Sequence, residues 1–94
     1  MKKILPVGVL VSGRGSNLQA IIDAINKGNL SAEIKIVISN NADSQAIVRA
    51  SEHSIPIKIL LDKGFSSKSE YDKKLIEILN KNGVDLVVLA GFMR

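Results

Sequence analysis

The sequence contains no cysteine and no tryptophan, and its aromatic residues are only Phe65, Tyr71 and Phe92. The lack of cysteine excludes disulfides, thiolate metal ligands and a cysteine nucleophile, and it is typical of proteins of the cytoplasm. With so few aromatics the core must consist of Ile, Leu and Val, which favours strands buried on both faces of a parallel sheet. No apolar run approaches the roughly 20 residues of a membrane-spanning helix, so we expect no membrane partner.

The positive charge of the chain is modest and scattered. Thirteen Lys and Arg residues against nine Asp and Glu residues give a net charge of +4, which favours anionic partners, with phosphates as the simplest case. A nucleic-acid-binding surface usually concentrates its charge on one face or adds stacking aromatics. The lysines here are spread from Lys2 to Lys81, so we interpret them as a solvated surface and expect no nucleic acid partner.

Four short aliphatic segments alternate with three stretches of helical periodicity, and the length allows one domain, residues 1–94. The predicted strands are Ile4 to Val11, Glu33 to Ile38, Ile55 to Leu60 and Val84 to Ala90. The predicted helices are Ser16 to Lys27, Ser44 to His53, and one from Ser67 or Ser69 to Asn82. This β-α-β-α-β-α-β alternation predicts an α/β fold with a Rossmann-like parallel sheet and the strand order 3-2-1-4.

Polar residues and glycines mark the ends of the predicted helices. Ser16 or Asn17 is expected to cap the first helix, and Gly28 is expected to end it in a left-handed conformation. The turn Asn40-Asn41-Ala42-Asp43 is expected to cap the second helix, and Gly83 to stop the third. The loops that follow the strands then share one edge of the sheet, where ligands bind in such folds.

The segment that carries chemistry is Ser12-Gly13-Arg14-Gly15-Ser16-Asn17, between the first strand and the first helix. Its two glycines allow a sharp turn, and the helix N-terminus offers free N–H groups and partial positive charge to a phosphate. Ser16 and Asn17 add a hydroxyl and an amide, and Arg14 can supply charge from the rim. The segment therefore predicts a phosphate-binding loop, with a tight turn that binds nothing as the alternative.

The same loop departs from the known dinucleotide and nucleotide motifs. Leu18 stands where a dinucleotide fingerprint has its third glycine, and no carboxylate follows the second strand to bind a ribose. A Walker loop is absent as well, because no Gly-Lys-Ser/Thr occurs. These departures favour a single terminal phosphomonoester over a pyrophosphate.

No catalytic set and no metal site is evident among the remaining titratable residues. His53 ends the second predicted helix, at the sheet edge opposite the loops, and we interpret it as a surface or capping histidine. Asp43, Asp62 and Asp72 lie nearer the loops but are better explained as cap, loop and helix-surface residues.

Four segments, in this order along the chain, resemble the family of glycinamide ribonucleotide (phosphoribosylglycinamide) formyltransferases, the folate-dependent enzymes of purine synthesis. They are Val11 to Ile22, Ser39 to Asp43, Phe65 to Asp72 and Asp85 to Arg94. The resemblance implies that Gly15, Ser16 and Asn17 hold the phosphate of glycinamide ribonucleotide. It also implies that Gly13 and Arg14 lie beside this substrate.

The resemblance assigns further residues to the substrates. It implies that Gly91 lets the substrate approach the backbone closely, and that Met93 and Arg94 begin the segment lining the pocket of 10-formyltetrahydrofolate, the formyl donor. Lys68 stands where the family often has an arginine that contacts the folate; a lysine keeps the charge but lacks the bidentate fork. No metal is implied.

The family's catalytic Asn, His and Asp lie in a second half that this sequence does not include. The resemblance thus implies a truncated formyltransferase fold that carries the phosphate-binding half and is inactive alone. Two alternatives stay open: a non-catalytic phosphate-binding fragment, and a related formyltetrahydrofolate hydrolase or methionyl-tRNA formyltransferase. Without a neighbouring strand, Leu86 to Leu89 would leave an apolar sheet edge, so self-association is expected.

Overall fold

The computed structural model describes residues 3–92 and contains one four-stranded parallel sheet. The elements are β1 (Leu5–Val11), α1 (Ser16–Asn26), β2 (Ala32–Ser39), α2 (Gln45–Glu52), β3 (Ile57–Ile59), α3 (Lys68–Lys81) and β4 (Leu86–Leu89). The strand order is β3-β2-β1-β4 and all three pairings are parallel, so the predicted α/β class and topology are confirmed.

Helices cover both faces of the sheet. Val9 and Val11 of β1 lie in a cluster with the buried side chains of α1 and α2, whereas Leu10 lies in a second cluster with those of α3. This alternation follows from the two-residue period of a strand. Each fully buried aliphatic side chain, such as Leu18 of α1, stabilises the fold by roughly 2 kcal/mol.

The strand β3 is shorter than the predicted segment Ile55 to Leu60. The N–H of Ile55 donates to the carbonyl of Ala50 (2.9 Å), so this residue belongs to the turn that closes α2. Pro56 has no N–H and contributes only its carbonyl, which accepts from Val37 N–H at 2.9 Å. Regular pairing is therefore limited to three residues at this edge of the sheet.

The helix ends agree with the sequence in part. Ser67 is the cap of α3, its hydroxyl accepting from the N–H of Glu70, and Gly28 has the expected positive φ, 78°. Gly83, the predicted stop of the third helix, has φ 69°. The cap of α2 is Ser44, whose hydroxyl accepts from Ala46 N–H. The prediction that the turn at 40–43 supplies this cap is therefore wrong by one residue.

None of the helices within residues 3–92 is both long enough and apolar enough to cross a membrane.

Candidate phosphate-binding site

The connection from β1 to α1 is a sharp turn made by Gly15. This glycine is the N-cap of α1 and has φ 79°, a left-handed conformation that favours glycine. The expectation that Ser16 or Asn17 caps the helix is wrong, because both already lie inside it and no side chain forms a cap hydrogen bond. The start of α1 is thus left open for a ligand.

The first N–H groups of α1 lie at this open end. The first intrahelical bond runs from Gln19 N–H to the carbonyl of Gly15 (2.8 Å), so the N–H groups of Ser16, Asn17 and Leu18 precede the helical ladder. Ser16 and Asn17 are exposed, and the first turn contains no acidic residue. The helix dipole is therefore not neutralised by a side chain here and favours an anion.

Gly15 also lies directly against α2. A Cβ atom at this position would be 2.6 Å from the Cα of Ala46 and 2.7 Å from its Cβ. Contacts this short do not occur in folded proteins, so the loop reaches its position only with glycine at residue 15. Both the φ angle and the packing therefore explain the second glycine of the loop.

Three consecutive carbonyl groups of the loop accept hydrogen bonds from the segment that contains α2. The donors are Asn41 Nδ2 to Ser12 (3.1 Å), Ser44 Oγ to Gly13 (2.5 Å) and Arg49 Nε to Arg14 (2.8 Å). No pattern in the sequence assigns Arg49 to the loop. Asn41 belongs to the turn at 40–43 that the sequence predicted, but only as a helix-capping turn, and Ser44 was predicted as the first residue of the second helix.

The end of β2 supports the loop. Ser39 is fully buried and its hydroxyl donates to the carbonyl of Asn41, while Ser12 Oγ donates to Asn40 Oδ1 at 2.6 Å. In a dinucleotide-binding fold this strand end would carry a carboxylate for the ribose. Here the polar groups at the end of β2 hold the neighbouring turn. Leu18, which stands at the third glycine position of the dinucleotide motif, is a fully buried core residue.

Gly91 lies at the same sheet edge as the loop. β4 pairs with β1, and the N–H of Ala90 donates to the carbonyl of Leu10 at 2.9 Å, which places the next residue beside the end of β1. Gly91 is exposed and has φ 75°. Its position next to the start of the loop is compatible with the close backbone approach that was predicted for it.

Lys68 lies apart from the loop. It is the first residue of α3 and lines a cavity of about 230 Å³ with Asp62, Phe65, Ser67 and Tyr71. The rings of Phe65 and Tyr71 meet edge to face at 5.3 Å. The cavity shares the carboxyl edge of the sheet but not the phosphate loop. Met93 and Arg94, the other two predicted folate residues, lie outside the described residues.

Glu70 stabilises the loop before α3, and the stability that it contributes to the fold should depend on pH. Hydrogen bonds from the Ser66 hydroxyl (2.6 Å) and N–H (3.3 Å) lower the pKa of this carboxyl below its ordinary value of 4.5. The stability that it contributes is then present above the unfolded-state pKa and is lost as the pH falls through the lowered value. We expect Glu70→Gln to melt earlier than the wild type at about pH 7, and the gap between the two melting temperatures to narrow as the pH falls to about 3. An equal gap at both pH values would contradict this account of Glu70.

His53 is at the opposite edge of the sheet, as predicted. It is exposed, forms the C-cap of α2, and borders a cavity of about 320 Å³ lined also by Ala32 and Ile34 at the start of β2. It therefore cannot act on a ligand at the loop. Asp43 and Asp62 are exposed and Asp72 is half-buried.

Comparison with known proteins gives consistent matches over the chain. The family model described as formyl transferase matches residues 5–94. Phosphoribosylglycinamide formyltransferase of Haemophilus influenzae is 48% identical over 94 residues, which are 100% of this chain and 43% of that protein. The Escherichia coli protein of the same name is 44% identical over 86 residues, 92% of this chain and 41% of that protein.

A solved structure supports the same likeness. The phosphoribosylglycinamide formyltransferase of Coxiella burnetii, determined in complex with CHES, superposes with a TM-score of 0.93 at 46% identity. The match covers 98% of this chain and 43% of that one. The chain therefore spans less than half the length of these relatives.

Proposed function

The chain belongs to the formyl transferase family, and we propose that it forms the phosphate-binding part of an enzyme that formylates glycinamide ribonucleotide. The formyl donor in this proposal is 10-formyltetrahydrofolate. The relatives reported above carry the name of the glycinamide enzyme, which favours it over a formyltetrahydrofolate hydrolase or a methionyl-tRNA formyltransferase.

The observation that carries the proposal is the open N-terminus of α1 after Gly15. The N–H groups of Ser16 and Asn17, free of intrahelical partners, can bind phosphate oxygens, and the Ser16 hydroxyl adds a further donor. Arg14 is exposed on the same loop and adds long-range attraction for the anion. The exposed backbone at Gly13 and Gly91 leaves room for the rest of the substrate beside it.

The proposed folate site is less complete in this chain. The Lys68 ammonium at the rim of its cavity suits an anionic group such as the carboxylates of a folate, and the ring of Phe65 offers an apolar wall. When bound, the folate supplies the formyl group that the substrate amine attacks. We propose Met93 and Arg94 as further parts of this pocket on the strength of the family resemblance alone.

The reaction needs further groups, and we propose that residues 3–92 do not bring them to the loop. Attack by the amine forms a tetrahedral oxyanion, which must be stabilised, and the amine proton must be removed. The chain has one histidine, His53, and it lies at the wrong edge of the sheet. Of the asparagines near the loop, Asn40 and Asn41 already hold the turn and the loop, and Asn17 is assigned to the phosphate in this proposal.

We therefore predict that the 94-residue chain shows no formyl transfer above the uncatalysed rate. The measurement is the release of tetrahydrofolate from 10-formyltetrahydrofolate in the presence of glycinamide ribonucleotide. A full-length relative serves as the positive control. Turnover by this chain would show that the catalytic groups lie within residues 1–94 and would overturn this part of the proposal.

The phosphate site is tested by titrating ribose 5-phosphate into the isotope-labelled chain and following the backbone amide signals. We expect the signals of Gly15, Ser16 and Asn17 to shift in a saturable manner, because their N–H groups would bond to the phosphate oxygens. Ribose without phosphate is the matched control and should leave them unchanged. If ribose 5-phosphate leaves these three signals unmoved, the loop is a turn only.

The absence of a nucleic acid partner and a cytoplasmic location are two further predictions from the sequence. The absence of a nucleic acid partner rests on the scattered lysines, and the cytoplasmic location rests on the absence of cysteine.

A further inference from the structure

We infer that Arg49 is a positioning residue of the proposed phosphate site, which turns the N–H groups of the loop toward the phosphate by holding the carbonyl of Arg14 on the opposite side. This inference rests on the proposed function, since it concerns the same loop. Arg49 lies on α2, outside the loop and outside every segment singled out for binding. It acts through a hydrogen bond from Nε to the Arg14 carbonyl oxygen, at 2.8 Å.

The geometry of the peptide bond links the carbonyl contacts to the N–H groups. In a planar trans peptide the C=O of one residue and the N–H of the next point in opposite directions. The carbonyls of Ser12, Gly13 and Arg14 are all bonded to donors of the α2 segment. The N–H groups of the residues that follow each of them must therefore point away from α2.

These N–H groups extend the open end of α1. The N–H of Gly15 follows the carbonyl that Arg49 holds, and it immediately precedes the N–H groups of Ser16 and Asn17 at the helix N-terminus. Successive backbone N–H groups around a left-handed residue form a concave site that suits an anion. The Arg14–Gly15 peptide is thus the one whose orientation decides whether the loop adds a donor to the helix or a carbonyl that repels the phosphate.

Arg49 is the donor best suited to a test, because the other two also stabilise their own segment. Asn41 Oδ1 accepts from Asp43 N–H at 3.0 Å, and Ser44 Oγ caps α2. The side-chain hydrogen bonds of Arg49 within residues 3–92 all go to the loop and to Gln19 of α1, at 3.4 Å. Its Cδ lies 3.1 Å from where a Cβ of Gly15 would be, so the side chain rests on the turn itself.

Two substitutions separate positioning from a simple charge effect. In Arg49→Gln the side-chain amide nitrogen takes the place of Nε in the chain of atoms, so the donor to Arg14 is kept and the charge is lost. In Arg49→Lys the charge is kept and a methylene replaces the donor. A positioning role predicts that Gln restores the loop and Lys does not, whereas direct attraction of the phosphate predicts the reverse.

The experiment measures the affinity of the full 94-residue chain and its variants for ribose 5-phosphate, together with hydrogen exchange of the Gln19 amide in the ligand-free chain. We expect Arg49→Met to weaken binding about tenfold, the equivalent of losing one hydrogen bond that orders the loop. Arg49→Lys should resemble Arg49→Met, and Arg49→Gln should stay within about threefold of the wild type. The N–H of Gln19, which is bonded to the Gly15 carbonyl at 2.8 Å, should exchange faster in the Met and Lys variants only.

The matched control is Lys73→Met, which removes an exposed cation from α3 on the other face of the sheet. It should bind as the wild type does. Wild-type binding that is unchanged in Arg49→Met, or that is restored by Lys and not by Gln, would overturn the role of Arg49 while leaving the phosphate site intact. Absence of binding by the wild type would instead overturn the proposed site itself. If Arg49→Met fails to fold, the contrast between Gln and Lys decides the question.

Discussion

Gly15→Ala is expected to lower the free energy of unfolding by about 3 kcal/mol and to abolish the binding of ribose 5-phosphate. A side chain at φ 79° is strained, and its Cβ would lie 2.6 Å from the Cα of Ala46. Neither the Cα nor the Cβ of Ala46 lies at the end of a flexible side chain, so the loop and α2 must move apart. Movement of the loop would break its carbonyl contacts with the α2 segment and turn the N–H groups of the site away from the ligand. Denaturant unfolding and the ribose 5-phosphate titration measure the two effects.

Two other glycines allow this loss to be divided into its causes. Gly28 has a similar φ of 78° but open space around it, so Gly28→Ala should cost about 1 kcal/mol from backbone conformation alone. At Gly13 a Cβ would also meet open space, and φ is not positive, so the free energy of unfolding of Gly13→Ala should stay within about 0.5 kcal/mol of the wild type. An effect at Gly15 no larger than at Gly28 would show that contact with α2 is not what requires a glycine in the loop.

The topology was predictable because a local sequence pattern indicates each strand and each helix. Leu18 and Ile22 of α1 show helical spacing, and the mostly aliphatic β4 segment follows the stop at Gly83. Alternating strands and helices then permit few arrangements, since parallel crossovers are right-handed. The order β3-β2-β1-β4 is one of the two common orders of doubly wound sheets, and it is the predicted one.

Of the candidate site, only the residues of the loop itself could be predicted from the sequence. The spacing of the loop reveals its glycines, Ser16 and Asn17. It does not reveal that Gly15 is the N-cap of α1, because the packing of α2 imposes the backbone geometry that decides the cap. Arg49 was missed for the same reason. It lies 35 residues beyond the carbonyl that it holds, and no local rule connects them.

The chain at high concentration is expected to associate through the outer edge of β4. This strand pairs with β1 on one side, and within residues 3–92 no strand pairs with its other side. The side chains of Leu86, Val87 and Leu89 are 47%, 41% and 66% exposed. Unpaired N–H and C=O groups beside exposed apolar side chains form a template for pairing with another chain, and a second copy offers the same edge.

A lysine at this edge should prevent the association, because two copies would bring like charges together and the charge would have to leave water. Leu89→Lys is therefore expected to remain monomeric at concentrations about tenfold higher than those at which the wild type associates, a change of about 1.4 kcal/mol in association free energy. Val48→Lys is the matched control: its side chain is 57% exposed on α2, which packs against β2 and β3 and not against β4, and it should associate as the wild type does. Sedimentation equilibrium over a range of concentrations gives the masses.

The two variants also locate the contact. If Leu89→Lys and Val48→Lys suppress association equally, the cause is a general increase in charge and not the β4 edge. If the wild type keeps the monomer mass at every concentration, the exposed strand does not pair at all. The expected contrast would instead show that two copies associate through the outer edge of β4, the side that faces away from β1.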